Sequence, residues 1–394
     1  MDPKWFPSPD RPFQPGGRSV LAAGTVGITT LLLPQGQFRK IIAIPSILGV
    51  LYNLRQHTTG KPEEDYLTAV NISMILARFI DVCVLHNAEQ SLRRVKPDGS
   101  DRENAEDIQK MDLWQKFRWN LDLFTTMRGI GWNWRVKNVD EVPPNISRSR
   151  FVLEQALRAS YCFLYIDIDE WYMPRTLFGD GITQVPDFFS LPFGQQTFLG
   201  WKSGLHNGFT MVFGYYLVTT VAVGTGFNRP LSWPPLFGSF IKKGYTMRHI
   251  WGNCWHQLLR RTFESANSSL ITLLKIRKGT LVSRYLQLYN AFFVSAVIHH
   301  IGALNCTYSA LAWYQFYFFM IQPVAITVED FAIYLGKKAG LKETWKTRAV
   351  GYAWVGCFLS YCLRYAAAGF MAAGLGGARH PVVAKFSIME RLLG

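Results

Sequence analysis

Eight apolar stretches of near-membrane length are the feature that most restricts the folds open to this chain. They cover residues 19–33, 41–54, 67–85, 151–168, 206–223, 285–304, 310–326 and 349–375. A helix needs about 20 apolar residues to cross a bilayer, within a range of roughly 17–25. We therefore predict an all-α fold, a polytopic transmembrane helical bundle of about eight spans with a buried tunnel.

The composition agrees with a membrane protein. Of the 394 residues, 49% are apolar and only 18% are charged, against about 25% charged residues in soluble domains. The net charge of +15 would suit nucleic acid, but the basic residues lie between the apolar stretches and no nucleic-acid-binding motif is present. We expect membrane lipids, and not nucleic acid, as partners.

The charge of the loops sets the predicted orientation. Loop 229–284 carries ten lysines and arginines but only one carboxylate, Glu264. The positive-inside rule places such a loop in the cytosol. Counting spans outward from it places loop 87–150 in the cytosol as well. We further predict a Pro-rich leader over residues 1–17 and a single membrane domain over residues 18–394.

The leading candidate for catalysis is His299, in the apolar run QLYNAFFVSAVIHHIGAL. It lies about 14 residues, or roughly 21 Å, beyond the cytosolic start of its helix near Tyr285. Ionisable groups at that depth are costly, so a functional role is the default hypothesis. A desolvated, neutral imidazole can take the proton of an attacking alcohol. His300 points about 100° away around the helix, and we predict that it supports His299.

A second candidate lies upstream, in IWGNCWHQ. If this segment is helical, Asn253 and His256 share one face. They could then hold a carbonyl group or a coenzyme A moiety, while Trp251 and Trp255 form the walls. The alternative is an amphipathic interfacial helix whose tryptophans lie at the level of the lipid headgroups. The residues leave both interpretations open.

Cysteines and carboxylates bear on the remaining function classes. The six cysteines form neither a CxxC pair nor a zinc-binding spacing with histidine, so we predict no disulfide framework and no metal site. Asp167, Asp169 and Glu170 could protonate an isoprenoid, as in a transmembrane terpene cyclase, but at a span end a structural role is favoured. A non-catalytic transporter or scaffold, with histidines that line a pore or pack, is the other alternative.

The residues SAVIHH, placed after a basic loop with IWGNCWHQ, resemble the membrane-bound O-acyltransferase superfamily, most closely its wax synthase-like branch. Members carry a Ser-small-apolar-apolar-His motif and an upstream Trp-Gly-x-x-Trp-(Asn/His) motif. The stretch RGIGWNWRVKNV resembles fungal members that acetylate terpenoid or meroterpenoid alcohols. The resemblance covers roughly residues 114–304. It departs at Ala296, where many relatives have glycine, and at Asn253 and Cys254, where many have two basic residues.

The resemblance implies an acyl-CoA-dependent O-acyltransferase of secondary metabolism, with His299 as general base and His256 as the second polar residue of the centre. Acetyl-CoA, or another acyl-CoA, would be a co-substrate, and no cofactor would be bound permanently. The acceptor would be a lipophilic alcohol, and a long-chain wax-ester synthase is the alternative. We expect an integral membrane protein of the endoplasmic reticulum. The predicted substrate- and CoA-binding residues are Arg248, Trp251, Asn253, Trp255, Arg260, Arg261 and His300.

Overall fold

The described chain folds into helices joined by loops and short helical segments. The structure, a computed structural model, describes residues 7–8, 10–96, 100–176, 187–306, 309–372, 375–377 and 379–393. Of the predicted leader, residues 1–6 and 9 lie outside the described part. The described residues contain three isolated β-bridges and no β-strand. The prediction of an all-α fold is therefore confirmed.

Ten helices of at least 13 residues make up most of the described chain. They are α1 (Gly16–Thr30), α2 (Gln37–Gln56), α3 (Pro62–Ile80), α4 (Leu113–Thr125), α5 (Arg148–Thr176), α6 (Phe193–Gly224), α7 (Arg260–Leu273), α8 (Leu281–Asn305), α9 (Ser309–Lys338) and α10 (Trp345–Ala372). Each of the eight apolar stretches overlaps one of these helices. Residues 373–374 of the last stretch lie outside the described part.

Short helices fill the connections. Two of them are π-helices, Asp81–Leu85 and Ile250–Cys254. The others, as far as the chain is described, are Ala88–Ser91, Ala105–Gln109, Phe188–Ser190, Pro230–Ser232, Phe240–Lys243, Met247–His249, Leu375–Gly377, Pro381–Phe386 and Ile388–Leu393. π-helices are rare and frequently mark functional sites.

Three helices within the described ranges are long and apolar enough to cross a membrane. They are Pro62–Leu85, Leu281–Asn305 and Trp313–Lys338. The first joins α3 to the π-helix that follows it, the second is α8 and carries His299, and the third is most of α9. These helices suggest membrane association. The count of eight spans, the tunnel, the cytosolic loops and the single domain stay predictions.

Local signals explain where the key helices begin. Helix α3 has Pro62 in its first turn, followed by acidic residues, which complement the positive end of the helix dipole. Helix α8 begins after Thr280, whose hydroxyl accepts a hydrogen bond from the backbone N–H of Ser283. Such N-caps satisfy amide groups that have no partner inside the helix.

The chain divides into two compact units. The first comprises Met1–Lys137 and Leu258–Ala312, and the second comprises Asn138–Gln257 and Trp313–Gly394. Within the first unit, α3 packs against α1 and α8, and α7 packs against α8. Within the second unit, α6 packs against α5 and α10. The long apolar helices therefore pack laterally within each unit.

The polar segment after α3 is folded onto the helices of the first unit. Trp119 and Trp132 are fully buried and belong to the same apolar cluster as Phe79 of α3. Their rings meet edge to face at a centroid distance of 5.4 Å, a favoured geometry for aromatic pairs. The described residues of this segment are therefore folded, because its aromatic side chains supply a core.

A buried ion cluster joins this segment to the first two helices. The Glu89 carboxylate accepts hydrogen bonds from Arg39 at 3.0 and 2.5 Å and from Lys116 at 3.0 Å. Arg39 also donates to the carbonyls of Leu31 and Leu33 at the end of α1. Burial alone would raise the pKa of the Glu89 carboxyl, but Arg39 and Lys116 hold the pKa below its ordinary value. Glu89 therefore stabilises the fold at neutral pH and loses this contribution as the pH falls through its folded-state pKa.

We expect Glu89→Gln to lower the free energy of unfolding by about 3–5 kcal/mol, because it leaves buried cations without their carboxylate. Thermal unfolding of the purified protein in detergent, followed by tryptophan fluorescence, measures the effect. Glu64→Gln is the matched control, since the Lys61–Glu64 pair is exposed (63% and 44%) and should contribute about 1 kcal/mol or less. Equal shifts in Tm for the two variants would contradict this account.

Candidate active site

His299 is held by a tyrosine from another helix. Its Nδ1 lies 2.7 Å from the hydroxyl of Tyr66, which projects from the first turns of α3 and is 3% exposed. The imidazole itself is partly accessible. This hydrogen bond engages Nδ1 and so orients the ring. His300 follows on α8, about 100° around the helix, and is partly accessible too.

The sequence analysis missed Tyr66. It is 233 residues away from His299 along the chain, and a tyrosine near the end of an apolar helix is typical of an aromatic belt at the membrane interface. Only the packing of α3 on α8 distinguishes it from such a belt residue.

Gly302 allows this packing. It lies almost one turn after His299 on α8. A Cβ at this position would fall 2.7 Å from the Val70 side chain and 3.1 Å from the Tyr66 ring. Such distances are shorter than van der Waals contact, so a larger residue would push α3 away. Small residues at helix interfaces in membranes serve this purpose generally.

A cluster of hydrogen bonds holds the start of α3 beside the end of α8. The Asp65 carboxylate accepts hydrogen bonds from Arg11 at 3.2 Å, from the Thr58 hydroxyl at 2.6 Å and from the Thr59 backbone N–H at 2.6 Å. Arg11 also donates to the side chain and carbonyl of Asn305, at the end of α8. The described part of the leader is therefore docked, and Arg11 ties the first turn of α3 to the last residue of α8.

Arg261, one of the residues predicted to bind coenzyme A, contacts a buried ion cluster. Asp81 is 1% exposed and contacts Arg78 at 2.9 Å, Arg261 at 3.1 Å and His86 at 2.9 Å. The Trp134 ring lies 4.5 Å from the Arg78 guanidinium carbon and 5.7 Å from that of Arg261, distances at which cation–π attraction operates. Arg261 is therefore held within the first unit by a buried carboxylate.

The stretch RGIGWNWRVKNV supplies that tryptophan. Gly129 has a φ of +62°, and a Cβ there would fall 2.6 Å from the Trp134 ring. Only glycine adopts this backbone conformation readily and leaves room for the indole. The glycine thus helps to place Trp134 beside the two guanidinium groups.

In the second unit, IWGNCWHQ does not form the expected continuous helix. Ile250–Cys254 is a π-helix, and Trp255 after it is extended, with a ψ of 152°. The prediction that Asn253 and His256 share a helical face is therefore wrong. Three hydrogen bonds to backbone carbonyls of this segment stabilise the end of the helix. The Gly238 N–H donates to the Cys254 carbonyl, and the Gln257 amide donates to the carbonyls of Trp251 and Trp255.

A buried glutamate supports the start of this segment. Glu329, which is 5% exposed, accepts hydrogen bonds from the backbone N–H groups of Met247 at 2.6 Å and Arg248 at 3.1 Å, and from the Trp354 indole at 2.9 Å. A carboxylate at a helix N-terminus satisfies free amides and matches the dipole. The Trp251 indole donates to Gln322 at 3.1 Å. Both partners lie on α9, which the sequence analysis did not connect with this motif.

The tryptophans predicted to form walls lie close to other aromatic rings in the second unit. Trp255 stacks on Phe237 at a centroid distance of 4.9 Å, and Trp251 meets Trp255 edge to face at 6.0 Å. His256 lies 5.5 Å from Trp255, centroid to centroid. Asn253 is partly accessible, and its amide makes no hydrogen bond with any other residue that the structure describes. A partly accessible amide beside indole faces can receive a polar ligand group.

Each of the three predicted phosphate-binding arginines contacts a carboxylate. Arg248 pairs with Asp330, Arg260 with Glu264 at 3.1 Å, and Arg261 with Asp81. Arg260, Arg261, His299 and His300 belong to the first unit, and Arg248, Trp251, Asn253, Trp255 and His256 to the second.

The competing carboxylates have structural partners. Asp167 accepts hydrogen bonds from the Ser387 hydroxyl and from the backbone N–H groups of Ile388 and Met389, so it caps a C-terminal helix. Asp169 contacts Lys202 at 3.0 Å and His206 at 2.7 Å. Glu170 accepts from the backbone N–H of His380. Within the described ranges, no group of three His, Cys, Asp or Glu side chains is placed to hold a metal ion.

Comparison with known proteins gives the class. The profile of the Membrane bound O-acyl transferase family matches residues 233–321. Acetyltransferase ataH of Aspergillus terreus is 31% identical over 271 residues, 61% of this chain and 84% of the relative. Acetyltransferase ple2 of Rhodocybe pseudopiperita is 29% identical over 320 residues, 78% of each chain. O-Mevalon transferase macI of Penicillium terrestre is 27% identical over 314 residues, 73% of this chain and 70% of the relative. No solved structure matches.

The matched segment runs from before IWGNCWHQ to beyond α8. It includes IWGNCWHQ and SAVIHH, two of the three stretches on which the resemblance was stated. The comparisons therefore favour an acyltransferase over a terpene cyclase and over a transporter or scaffold. The chain belongs to the membrane bound O-acyl transferase family and is an acyltransferase.

Proposed function

We propose that the protein transfers an acetyl group from acetyl-CoA to a hydroxyl of a lipophilic acceptor, such as a terpenoid or meroterpenoid alcohol, in secondary-metabolite biosynthesis. The observation that carries the proposal is His299, on a helix of membrane length and oriented through Nδ1 by Tyr66. The names of the relatives ataH and ple2 as acetyltransferases support acetyl as the transferred group.

In the proposed reaction, His299 acts as general base through Nε2. The acceptor oxygen attacks the thioester carbonyl carbon while Nε2 takes the hydroxyl proton. The C–S bond then breaks, and the imidazolium returns the proton to the departing CoA thiolate. The products are an ester and free CoA, with no net proton released and no covalent enzyme intermediate. A positioned base of this kind contributes about 10²–10⁴-fold to the rate.

The π-helix segment of the second unit is proposed to receive the donor. Trp251 and Trp255 supply apolar faces and Asn253 offers an accessible amide. His256 is proposed as the second polar residue that takes part in catalysis. We propose that Arg248 and Arg260 bind the CoA phosphates in place of their carboxylate partners. His300 and Arg261 are proposed to have supporting roles within the first unit.

Exposed cations of the α7–α8 connection are further candidates for the CoA phosphates. Lys275, Arg277 and Lys278 are exposed there, and the described part of the chain holds no carboxylate paired with them. Charge-assisted hydrogen bonds to phosphate are strong and suit such groups. In this proposal they draw the donor to the cytosolic face.

The membrane arrangement is part of the proposal. We propose about eight spans around a tunnel, with loops 87–150 and 229–284 in the cytosol and the protein resident in the endoplasmic reticulum membrane. Acetyl-CoA then enters from the cytosolic side and the alcohol from the bilayer. Acetyl-CoA is charged and the alcohol is lipophilic, and this difference supports separate routes of entry toward His299.

We expect His299→Gln to lower kcat by about 10²–10⁴-fold, since glutamine fills a similar space but cannot take a proton. Transfer of labelled acetyl from acetyl-CoA to a panel of terpenoid alcohols, measured with purified protein, provides the readout. His57→Gln, at the end of α2 in the same unit, is the control and should keep wild-type kcat. Wild-type turnover by His299→Gln would remove His299 from the mechanism.

The donor is tested by competition between acyl chains. Because one relative is named an O-mevalon transferase, acyl groups other than acetyl occur among similar proteins. We expect acetyl esters to dominate when membranes receive equal concentrations of labelled acetyl-CoA and palmitoyl-CoA with terpenoid and fatty alcohols. Predominant palmitoyl esters of fatty alcohols would instead favour the wax-ester synthase.

A further inference from the structure

We infer that Tyr66 is a positioning residue that orients the His299 ring through Nδ1 and so leaves Nε2 to act as the base. The inference rests on the proposed function, since it assigns a role relative to the general base. Tyr66 lies outside the segment matched by the family profile and outside every motif of the sequence analysis. It acts through His299 and need not touch either substrate.

The proposed role of Nε2 as base sets the direction of the hydrogen bond between Tyr66 and His299. One nitrogen of a neutral imidazole carries a proton and the other a lone pair, and a phenol hydroxyl can bond to either. A base at Nε2 requires the proton on Nδ1. The Tyr66 oxygen, 2.7 Å from Nδ1, is then the acceptor of the Nδ1–H hydrogen bond. Without that acceptor, the Nδ1–H loses this hydrogen bond and the ring loses the orientation that the bond gives it.

The packing makes this contact rigid. The Tyr66 ring lies against α8 at Gly302, where a Cβ would come within 3.1 Å of it. The adjacent Asp65 is held from three sides by Arg11, Thr58 and Thr59. A functional side chain is precise when packing and hydrogen bonds fix its supporting residue. Packing at Gly302 and the hydrogen bonds of the neighbouring Asp65 thus hold the phenol in place.

A phenol suits this position because it is neutral. A carboxylate at Nδ1 would stabilise the imidazolium and raise the pKa of the ring. An uncharged phenol orients the ring with less effect on that pKa. The imidazolium formed in the reaction therefore remains a ready proton donor to the CoA thiolate.

The first test is Tyr66→Phe, which keeps the ring against Gly302 and removes the acceptor. We expect kcat to fall by about 10–100-fold, the range found when partners that orient metal-binding histidines are removed. KM for acetyl-CoA and for the best alcohol of the terpenoid panel should stay within about twofold, because no substrate contact is lost. Tyr52→Phe, on the exposed face of α2, is the matched control and should keep wild-type kcat and KM.

The second test is a double-mutant cycle in kcat. If Tyr66 acts only through His299, then Tyr66→Phe in the His299→Gln background should cause no further loss. A loss that multiplies with that of His299→Gln would show a general structural role and overturn the inference. Wild-type kcat for the single variant Tyr66→Phe would overturn it as well.

The outcomes separate this inference from the proposed function. If His299→Gln keeps full activity, the general-base mechanism fails, and the role of Tyr66 fails with it. If His299→Gln is inactive and Tyr66→Phe is fully active, only the positioning role fails. Purified yield and Tm of each variant, compared with those of Tyr52→Phe, identify a loss that arises from misfolding.

Discussion

The geometry around His299 depends on one close contact between two helices, that of α3 with α8 at Gly302. Helices in a bilayer gain little from the hydrophobic effect when they associate, so packing and polar contacts decide how near they come. The missing side chain of Gly302 lets the Tyr66 ring reach the imidazole. At the ends of the same helices, the Arg11 side chain bridges Asp65 and Asn305. Packing and charge thus fix the same short stretch of both helices.

Buried carboxylates organise much of the rest. Glu89 gathers cations from α2 and α4, Asp81 gathers them from α3 and α7, and Glu329 caps the segment that leads into the π-helix. Each would be costly without its partners, because an unpaired charge in a low-dielectric interior is strongly disfavoured. Basic residues that the positive-inside pattern explains by topology alone therefore also have a structural use.

How much of this structure could be predicted from the sequence depends on how far apart the interacting residues lie along the chain. The helices were predictable because apolar composition and end caps are local, and His299 stood out because a histidine is expensive within an apolar run. Tyr66 was not predictable, since its significance comes from a contact across 233 residues. The break before His256 was not predicted either. The Gly238 N–H that bonds to the Cys254 carbonyl lies outside the motif, and no sequence pattern marks the local bonds of the Gln257 amide.

The most direct test is a structure of the protein with a non-hydrolysable ketone analogue of acetyl-CoA and an acceptor alcohol. The account predicts the alcohol oxygen about 3 Å from Nε2 of His299 and about 3–3.5 Å from the analogue's carbonyl carbon, with Tyr66 still on Nδ1. A complex in which the carbonyl group and the alcohol meet elsewhere, with no ligand atom near His299, would contradict it.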